Sequence, residues 1–121
     1  MFCINVRNTR CRFVDRILDG SKPEETRTAE AFRRMERYLS VGDRIGIVER
    51  SRLVGYVTYM GHVVYDSADA FRQAFSRHLV PAGSSYDYDG RGKVGLVLSD
   101  PVRVAPVELP KMDHIAGFRF V

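Results

Sequence analysis

Apolar residues recur along this chain with two different periods, and each period predicts one kind of element. Alternating apolar runs bounded by turn residues predict β-strands, because successive strand side chains point to opposite faces. Apolar residues spaced three or four apart predict amphipathic helices. The predicted strands cover residues 2–6, 22–27, 44–49, 53–65, 94–98, 102–107 and 118–121. The predicted helices run from a cap at residue 8 or 9 to residue 19, from a cap at 28 through 39, and from a cap at 67 to Pro81.

This mixture of strands and helices predicts an α+β fold. The chain has 121 residues, which is within the usual range for one domain, and folding at this size buries roughly two thirds of the unfolded chain's surface. The sequence contains no internal repeat, low-complexity tract or linker-like segment. We therefore predict that residues 1–121 form a single domain.

A short charged segment after the first predicted helix is the best candidate for a recognition site. Gly20 follows the apolar helix pattern at the place where a left-handed closing residue is favoured. Pro23 then biases Lys22 toward extended geometry, so the segment from Lys22 to Arg27 is predicted to be a strand. In a strand, Glu25 and Arg27 point to the same face. The carboxylate of Glu25 and the guanidinium of Arg27 would then lie together on one wall of a binding site.

Such a wall suits a planar polar ligand. The carboxylate of Glu25 accepts hydrogen bonds from amino groups, Arg27 offers a rigid fork of donors, and Lys22 supplies a mobile charge for phosphate. A nucleobase or nucleotide combines all these features. The alternative interpretation is a surface ion pair between Glu25 and Arg27, which would contribute at most about 1 kcal/mol to stability.

The same residues carry a family resemblance. The pattern Gly20-x-Lys22-x-x-Glu25-x-Arg27 precedes residues 41–45, which read Val-Gly-Asp-Arg-Ile. Residues 53–57 (Leu-Val-Gly-Tyr-Val) and 95–98 (Gly-Leu-Val-Leu) follow in order, the latter succeeded by Pro101. This arrangement resembles the ASCH domain of the PUA-like superfamily and spans nearly the whole chain.

The resemblance implies a small PUA-like β-barrel with flanking helices and a cleft lined by the motif. It also implies a role in RNA or modified-nucleoside biology, since some ASCH proteins bind nucleic acid, one group hydrolyses acylated cytidine nucleosides, and ribonuclease activity is attributed to another. The hydrolases carry Lys-x-x-Thr with the threonine as proposed nucleophile, whereas Glu25 stands at that position here. Lys22 and Glu25 are therefore candidate catalytic residues only if the protein is an enzyme.

Two tyrosines lie in a polar segment that we predict to be a mobile loop, residues 82–92. Tyr86 and Tyr88 offer flat faces on which a base can stack, a contact that contributes about 1 to 3 kcal/mol per base. We predict that this loop folds over a ligand bound at Lys22, Glu25 and Arg27. The alternative is that both tyrosines are simply solvated.

The charge balance favours an anionic partner. Nineteen Lys and Arg against fifteen Asp and Glu give a formal net charge of +4 and a pI near 9.3. Six of the basic residues precede residue 30, and several could line one side of the cleft. RNA, a nucleotide or a modified nucleoside is the expected partner.

Metal and cofactor motifs are lacking, so we predict neither. Residues 87–90 start like a calcium loop, but Arg91 and Leu98 occupy positions that require oxygen ligands. The three histidines are scattered, and Cys3 and Cys11 do not have metal-type spacing. The chain starts without a secretory signal pattern, and its longest apolar region is too short for a membrane helix. We therefore expect a cytoplasmic protein that does not enter membranes.

The sequence favours a binding domain that recognises a nucleobase and phosphate in a basic cleft, with Lys22, Glu25, Arg27, Tyr86 and Tyr88 as ligand-binding residues. The alternative is a hydrolase acting on an acylated nucleoside or on RNA, in which Glu25 is the general base and Lys22 stabilises an oxyanion. A third interpretation, an accessory domain that acts through protein contacts, remains open because the excess of positive charge is small.

Overall fold

The strands of the computed structural model, which describes residues 1–112 and 117–121, form one mixed six-stranded sheet. The strands are β1 (Phe2–Asn5), β2 (Glu24–Thr28), β3 (Arg44–Glu49), β4 (Arg52–Tyr65), β5 (Lys93–Glu108) and β6 (Phe118–Phe120). The helices are α1 (Phe13–Leu18), α2 (Ala29–Met35), α3 (Ala68–Gln73) and α4 (Phe75–His78), and a 3₁₀ turn spans Glu36–Tyr38. The expected α+β class is confirmed.

The sheet curls into a half-barrel. Its strand order is β2-β5-β4-β3-β1-β6, with β1 parallel to β3 and every other neighbouring pair antiparallel. Three strands separate β2 from β1 in this order, yet Arg27 Nη2 on β2 donates a hydrogen bond to the carbonyl oxygen of Asn5 on β1 at 2.7 Å. The curl therefore brings one edge of the sheet against the ends of distant strands and encloses space between them.

Side-chain caps begin two of the helices as the sequence predicts. The Thr28 hydroxyl accepts from the Ala31 amide at 3.1 Å, and the Ser67 hydroxyl accepts from the Ala70 amide at 3.1 Å. Gly20 follows α1 with a φ of +86°, which confirms the left-handed closing residue. The strand after it begins two residues later than expected, at Glu24.

The start of α1 differs from the prediction. The helix begins at Phe13, and Arg12, with a φ of 54°, precedes it. Asn8 is not the N-cap residue, but its side-chain oxygen accepts from the amide of Asp15, in the first turn of the helix, at 3.3 Å. Its amide group donates to the Asp15 carboxylate at 3.0 Å. Asn8 therefore ties the loop before the helix to the first turn of α1.

The predicted break between two strands near Pro101 was wrong, because β5 runs through it. Asp100 has a φ of 49°, and the pairing with β4 shifts register in this region. The partner strand β2 pairs only with residues from Lys93 to Val97. Pro101 therefore lies where the β2 side of β5 needs no amide donor. The third predicted helix is divided at Ala74 into α3 and α4, and it ends at His78, before the predicted end at Pro81.

The core is formed by side chains of the helices packed against side chains of the sheet. Its completely buried members include Ile4, Ile47, Met35, Phe71 and Leu96. Helix α1 lies very close to the sheet at Gly55, where a methyl group would come within 2.5 Å of Leu18 Cδ2 and 2.6 Å of the Val102 carbonyl oxygen. This packing fixes the turn that leads from α1 into β2, and with it the charged segment.

Candidate functional site

Lys22 lies at the start of the charged segment, and only 1% of the residue is exposed to solvent. Its Nζ donates to the carbonyl oxygens of Glu24, at 2.7 Å, and of His78, and it is 3.4 Å from Glu25 Oε1. The Phe13 ring centroid is 4.6 Å from the ammonium. Burial lowers the pKa of Lys22, and the charge of Glu25 opposes that shift. All three N–H donors of the ammonium therefore have acceptors within the protein.

Glu25 lies between two cations. Its Oε1 faces Lys22, and its Oε2 is 3.3 Å from Arg27 Nη2. The same Arg27 nitrogen also donates to the Asn5 carbonyl oxygen, which fixes the guanidinium across the curl of the sheet. The side chain of Glu25 is only 8% exposed and that of Arg27 16%. The predicted ion pair thus exists, but it is buried, and the interpretation as a solvated surface pair was wrong.

The neighbouring glutamate serves the opposite face of β2. Glu24 Oε1 accepts a hydrogen bond from the Tyr65 hydroxyl at 2.6 Å, and its Oε2 accepts from Arg77 Nε at 2.8 Å. Gly95 on β5 provides the space, because a methyl group there would lie 2.1 Å from Glu24 Oε1. This network, together with the bond from Lys22 to His78, attaches α4 to β2.

A cavity of about 420 Å³ opens on the face that carries Glu25 and Arg27. This volume is within the range typical of small-molecule sites. Four arginines and one glutamate are the charged residues on its described wall, so the wall is strongly cationic. The described residues that line it are Asn5, Val6, Arg7, Phe13, Glu25, Thr26, Arg27, Val48, Arg50, Ser51, Tyr86, Met112, Gly117 and Arg119. Lys22 is not among them and lies behind Glu25.

Two guanidinium nitrogens in this wall have no acceptor among the residues that the structure describes. Both Arg27 Nε and Arg119 Nε are buried, and neither has a hydrogen-bond partner there. A buried donor without an acceptor costs about 1 to 3 kcal/mol, and more when it is charged. An acceptor-bearing ligand in the cavity would supply what these groups lack.

The two loop tyrosines have different environments. Tyr86 lines the cavity and packs edge-on against Phe13, with ring centroids 5.4 Å apart. Tyr88 lies away from the described wall and packs against Phe71, at a centroid distance of 6.4 Å. Tyr86 is thus placed beside Glu25 and Arg27, whereas Tyr88 is placed against the core. Both tyrosines are partly buried, so neither is simply solvated.

Asp87, between these tyrosines, holds the loop in place. Its carboxylate accepts from the amides of Gly83, at 2.7 Å, and Tyr88, at 2.8 Å, and it pairs with Arg72 at 3.0 Å. The Gly83 amide, followed by the Arg72 guanidinium, lowers the pKa of Asp87 to about 2. The loop that we predicted to be mobile is therefore fastened to α3 through one carboxylate.

This carboxylate should give the loop a measurable acid dependence. The folded-state pKa of Asp87 lies below 3.8, the ordinary value for aspartate, so its contribution to stability is present above that value and is lost as pH falls toward 2. We expect Asp87→Asn to lose less stability than the wild type between about pH 5 and pH 2. Urea unfolding at a series of pH values measures this difference. Asp89→Asn, at an exposed neighbour, is the control, and equal acid dependence of the wild type and Asp87→Asn would contradict the assignment.

Three arginines of the cavity wall lie outside the charged segment, and two of them had no signal in the local sequence. Arg7 follows β1, Arg50 follows β3, and Arg119 lies on β6, so each comes from a different strand. The parallel pairing of β1 with β3 and the antiparallel pairing of β1 with β6 place them together. The early cluster of basic residues indicated Arg7, but Arg50 and Arg119 depend on pairings between distant segments.

In residues 1–112 and 117–121, no group of three or more histidine, cysteine, aspartate or glutamate side chains is arranged to hold a metal ion. Over the same residues, no helix is long and apolar enough to cross a membrane. His114, one of the scattered histidines of the sequence, lies outside the described residues.

Comparisons with known proteins identify the fold. A scan against protein-family models and a search of curated proteins both returned no match. Among solved structures, the chain is similar to the ASCH protein from Zymomonas mobilis, with a TM-score of 0.68 and 16% identity over 89% of this chain and 73% of that chain. A serine-to-alanine variant of that protein matches with a TM-score of 0.74 and 13% identity, over 99% of this chain and 87% of that one.

A tyrosine-to-phenylalanine variant of the Zymomonas mobilis protein matches with a TM-score of 0.61 and 18% identity, over 89% of this chain and 75% of that one. At identities this low, the likeness establishes the fold alone. The chain has an ASCH-like, PUA-like α+β fold, as the sequence motif predicts.

Proposed function

We propose that the cavity binds a nucleobase-bearing ligand, either a nucleotide or a nucleotide within RNA. The observation that carries this proposal is the position of Glu25. Its carboxylate is held between Lys22 and Arg27 on the wall of a cavity that also contains the Nε donors of Arg27 and Arg119, which have no acceptor in the described part of the chain. A ligand that fits must offer donors to the carboxylate and acceptors to the guanidinium groups.

A nucleobase has both kinds of group at its edge, and its phosphate suits the surplus of arginines. Glu25 accepts from amino or imino groups of the base, while the forks of Arg27 and Arg119 bind carbonyl or phosphate oxygens. Tyr86 offers a ring on which the base stacks. A purely anionic ligand such as inorganic phosphate would bring its negative charge close to the carboxylate of Glu25. Inorganic phosphate alone is therefore a poorer fit.

Lys22 has a positioning role in this proposal. We expected it to supply a charge for the phosphate of the ligand, but its three donors are occupied and it lies behind Glu25. Its ammonium instead pairs with Glu25 Oε1 and holds that carboxylate in place on the cavity wall. Tyr88 has no ligand contact in this proposal, because it packs against Phe71.

A thermal-shift panel tests the proposal. A ligand that binds only the folded protein raises the melting temperature, by an amount equivalent to about 2.7 kcal/mol at a hundred times its Kd. We expect a concentration-dependent rise with at least one ribonucleoside, ribonucleotide or short single-stranded RNA. The rise should persist in Arg33→Ala, which removes a charge from an exposed face of α2. No rise with any member of the panel at millimolar concentration would reject the proposal.

A hydrolase acting on an acylated nucleoside or on RNA is the second candidate. The observation that favours it is the buried lysine with a lowered pKa, 3.4 Å from a carboxylate. Glu25 would act as general base toward water. The occupied donors of Lys22 weaken the candidate, because oxyanion stabilisation needs a free donor. Incubation with N4-acetylcytidine or short RNA, analysed by chromatography, tests this candidate. Turnover by the wild type that Glu25→Gln abolishes would favour the hydrolase over the binding domain.

A further inference from the structure

A second cavity adjoins the first at two arginines. It measures about 490 Å³ and is lined, in the part of the chain that the structure describes, by Val6, Arg7, Asn8, Thr9, Glu49 and Arg50. Three of these residues, Val6, Arg7 and Arg50, also line the first cavity. The two cavities therefore meet along a boundary that carries two guanidinium groups.

Topology places these two arginines side by side. Strands β1 and β3 are parallel neighbours in which Asn5 pairs with Val48, and the Val6 amide continues the pairing by donating to the Val48 carbonyl oxygen at 2.9 Å. Arg7 and Arg50 each lie two residues beyond that Asn5–Val48 pair. Both therefore leave the sheet at the carboxyl ends of adjacent parallel strands, where open sheets commonly place ligand sites.

Neither guanidinium has a partner in the part of the chain that the structure describes. No hydrogen bond or ion pair joins Arg7 or Arg50 to another group within residues 1–112 and 117–121. Elsewhere on the surface, arginines such as Arg12, Arg34 and Arg103 are paired with carboxylates. Two guanidinium groups that line the same concave boundary and have no partner among the described residues are suited to bind an anion, and a phosphate has the matching geometry.

The turn that contains Arg50 has a strained backbone. Arg50 and Ser51 form the two-residue connection between β3 and β4, with φ values of 50° and 60°. This turn, with φ positive at both central residues, is normally occupied by Asn-Gly or similar pairs, because other side chains are strained there. An arginine in this turn destabilises the fold, and a contact with a ligand would explain why an arginine is present there.

We propose that Arg7 and Arg50 bind the phosphodiester that joins a nucleotide in the first cavity to its neighbour in the second, so that the ligand is a single-stranded oligonucleotide. This inference rests on the proposed function of the first cavity. The second cavity offers the Thr9 hydroxyl and the Glu49 carboxylate to the neighbouring nucleotide. A mononucleotide would fill one cavity and leave the other open.

The test is a ladder of affinities measured by isothermal titration. The probes are a nucleoside, its 3′- and 5′-monophosphates, and the corresponding dinucleotide in ribo and deoxyribo forms, for each of the four bases. We expect at least one dinucleotide to bind about 10-fold tighter than either monophosphate, as an added charge-assisted contact allows. Its affinity should also fall more steeply with salt.

The double variant Arg50→Asn, Ser51→Gly separates this role from a structural one. The replacement supplies the residues that the turn prefers, so the melting temperature should rise by a few degrees. The ratio of dinucleotide to nucleoside affinity should nevertheless fall about 10-fold. Arg33→Asn, which removes the same charge from α2, should leave the ratio unchanged. Arg7→Gln, at an exposed position that follows β1, should lower the ratio independently.

The possible failures are distinguishable. Tight binding of monophosphates with no gain for any dinucleotide would overturn the second subsite while leaving the proposed function intact. An unchanged affinity ratio in both the Arg50 double variant and Arg7→Gln would also overturn it. Absence of binding by every probe would reject the proposed function and the subsite together.

Discussion

Replacement of Lys22 with methionine is expected to lower the free energy of unfolding by about 3 to 5 kcal/mol, because it removes one partner of a buried ion pair. Methionine fills much of the same volume but has no donor for the carbonyl oxygens of Glu24 and His78, which lose their bonds to Nζ. Glu25 retains only Arg27 as a cationic neighbour among its described contacts. The loss corresponds to a fall in melting temperature of roughly 10 to 20 °C for a domain of this size.

Urea unfolding of the purified variant measures this effect directly. Lys111→Met, which makes the same change at an exposed lysine, is the matched control and should stay within about 0.5 kcal/mol of the wild type. A Lys22→Met protein as stable as this control would mean that the ammonium contributes nothing to the junction of α1, β2 and α4. The buried network described above would then be energetically unimportant.

Replacement of Glu25 with glutamine is expected to weaken binding of the preferred base by about 10- to 100-fold. A hydrogen bond to a charged group contributes about 1.5 to 3 kcal/mol, and each 1.4 kcal/mol corresponds to a tenfold change in affinity. Glutamine keeps the shape of the side chain but replaces one acceptor oxygen with a donor amide. Bases that present an amino or imino group to this position should lose most, so discrimination among bases should narrow.

The measurement is the affinity of the wild type and Glu25→Gln for all four ribonucleotides. Glu30→Gln makes the same change at a 77% exposed side chain of α2 and should leave all four affinities unchanged. An equal loss across all bases would assign Glu25 a purely structural role in holding Lys22 and Arg27. The melting temperature of the variant identifies any loss that comes from unfolding.

The charged segment was largely predictable because its geometry is local. Gly20 and Pro23 fix where the helix ends and the strand begins, and strand alternation places Glu25 and Arg27 on one face. The burial of Lys22 was not predictable, because its acceptor at His78 is 56 residues away in the chain. Local spacing shows which side chains share a face, but it does not show which of them the rest of the fold covers.

The cavity itself depends on pairings that no local pattern reveals. Arg119 reaches the wall because β6 pairs with β1, and Arg50 reaches it because β3 is parallel to β1. The environments of Tyr86 and Tyr88 also depend on distant segments, because Tyr86 packs against Phe13 and Tyr88 against Phe71. The break predicted at Pro101 failed because the edge of β5 beyond β2 tolerates proline, a fact that only the strand order supplies.

A titration of ¹⁵N-labelled protein with short single-stranded RNA, followed by amide resonances, tests the central claim most directly. If the cavity is the binding site, the largest shifts should come from the amides of Glu25, Arg27, Ser51, Tyr86 and Gly117, which line it. The exposed, arginine-rich face of α2 should shift little. Shifts concentrated at Arg33, Arg34 and Arg37, with the cavity amides unmoved, would show that RNA binds only to surface charge and would contradict the account.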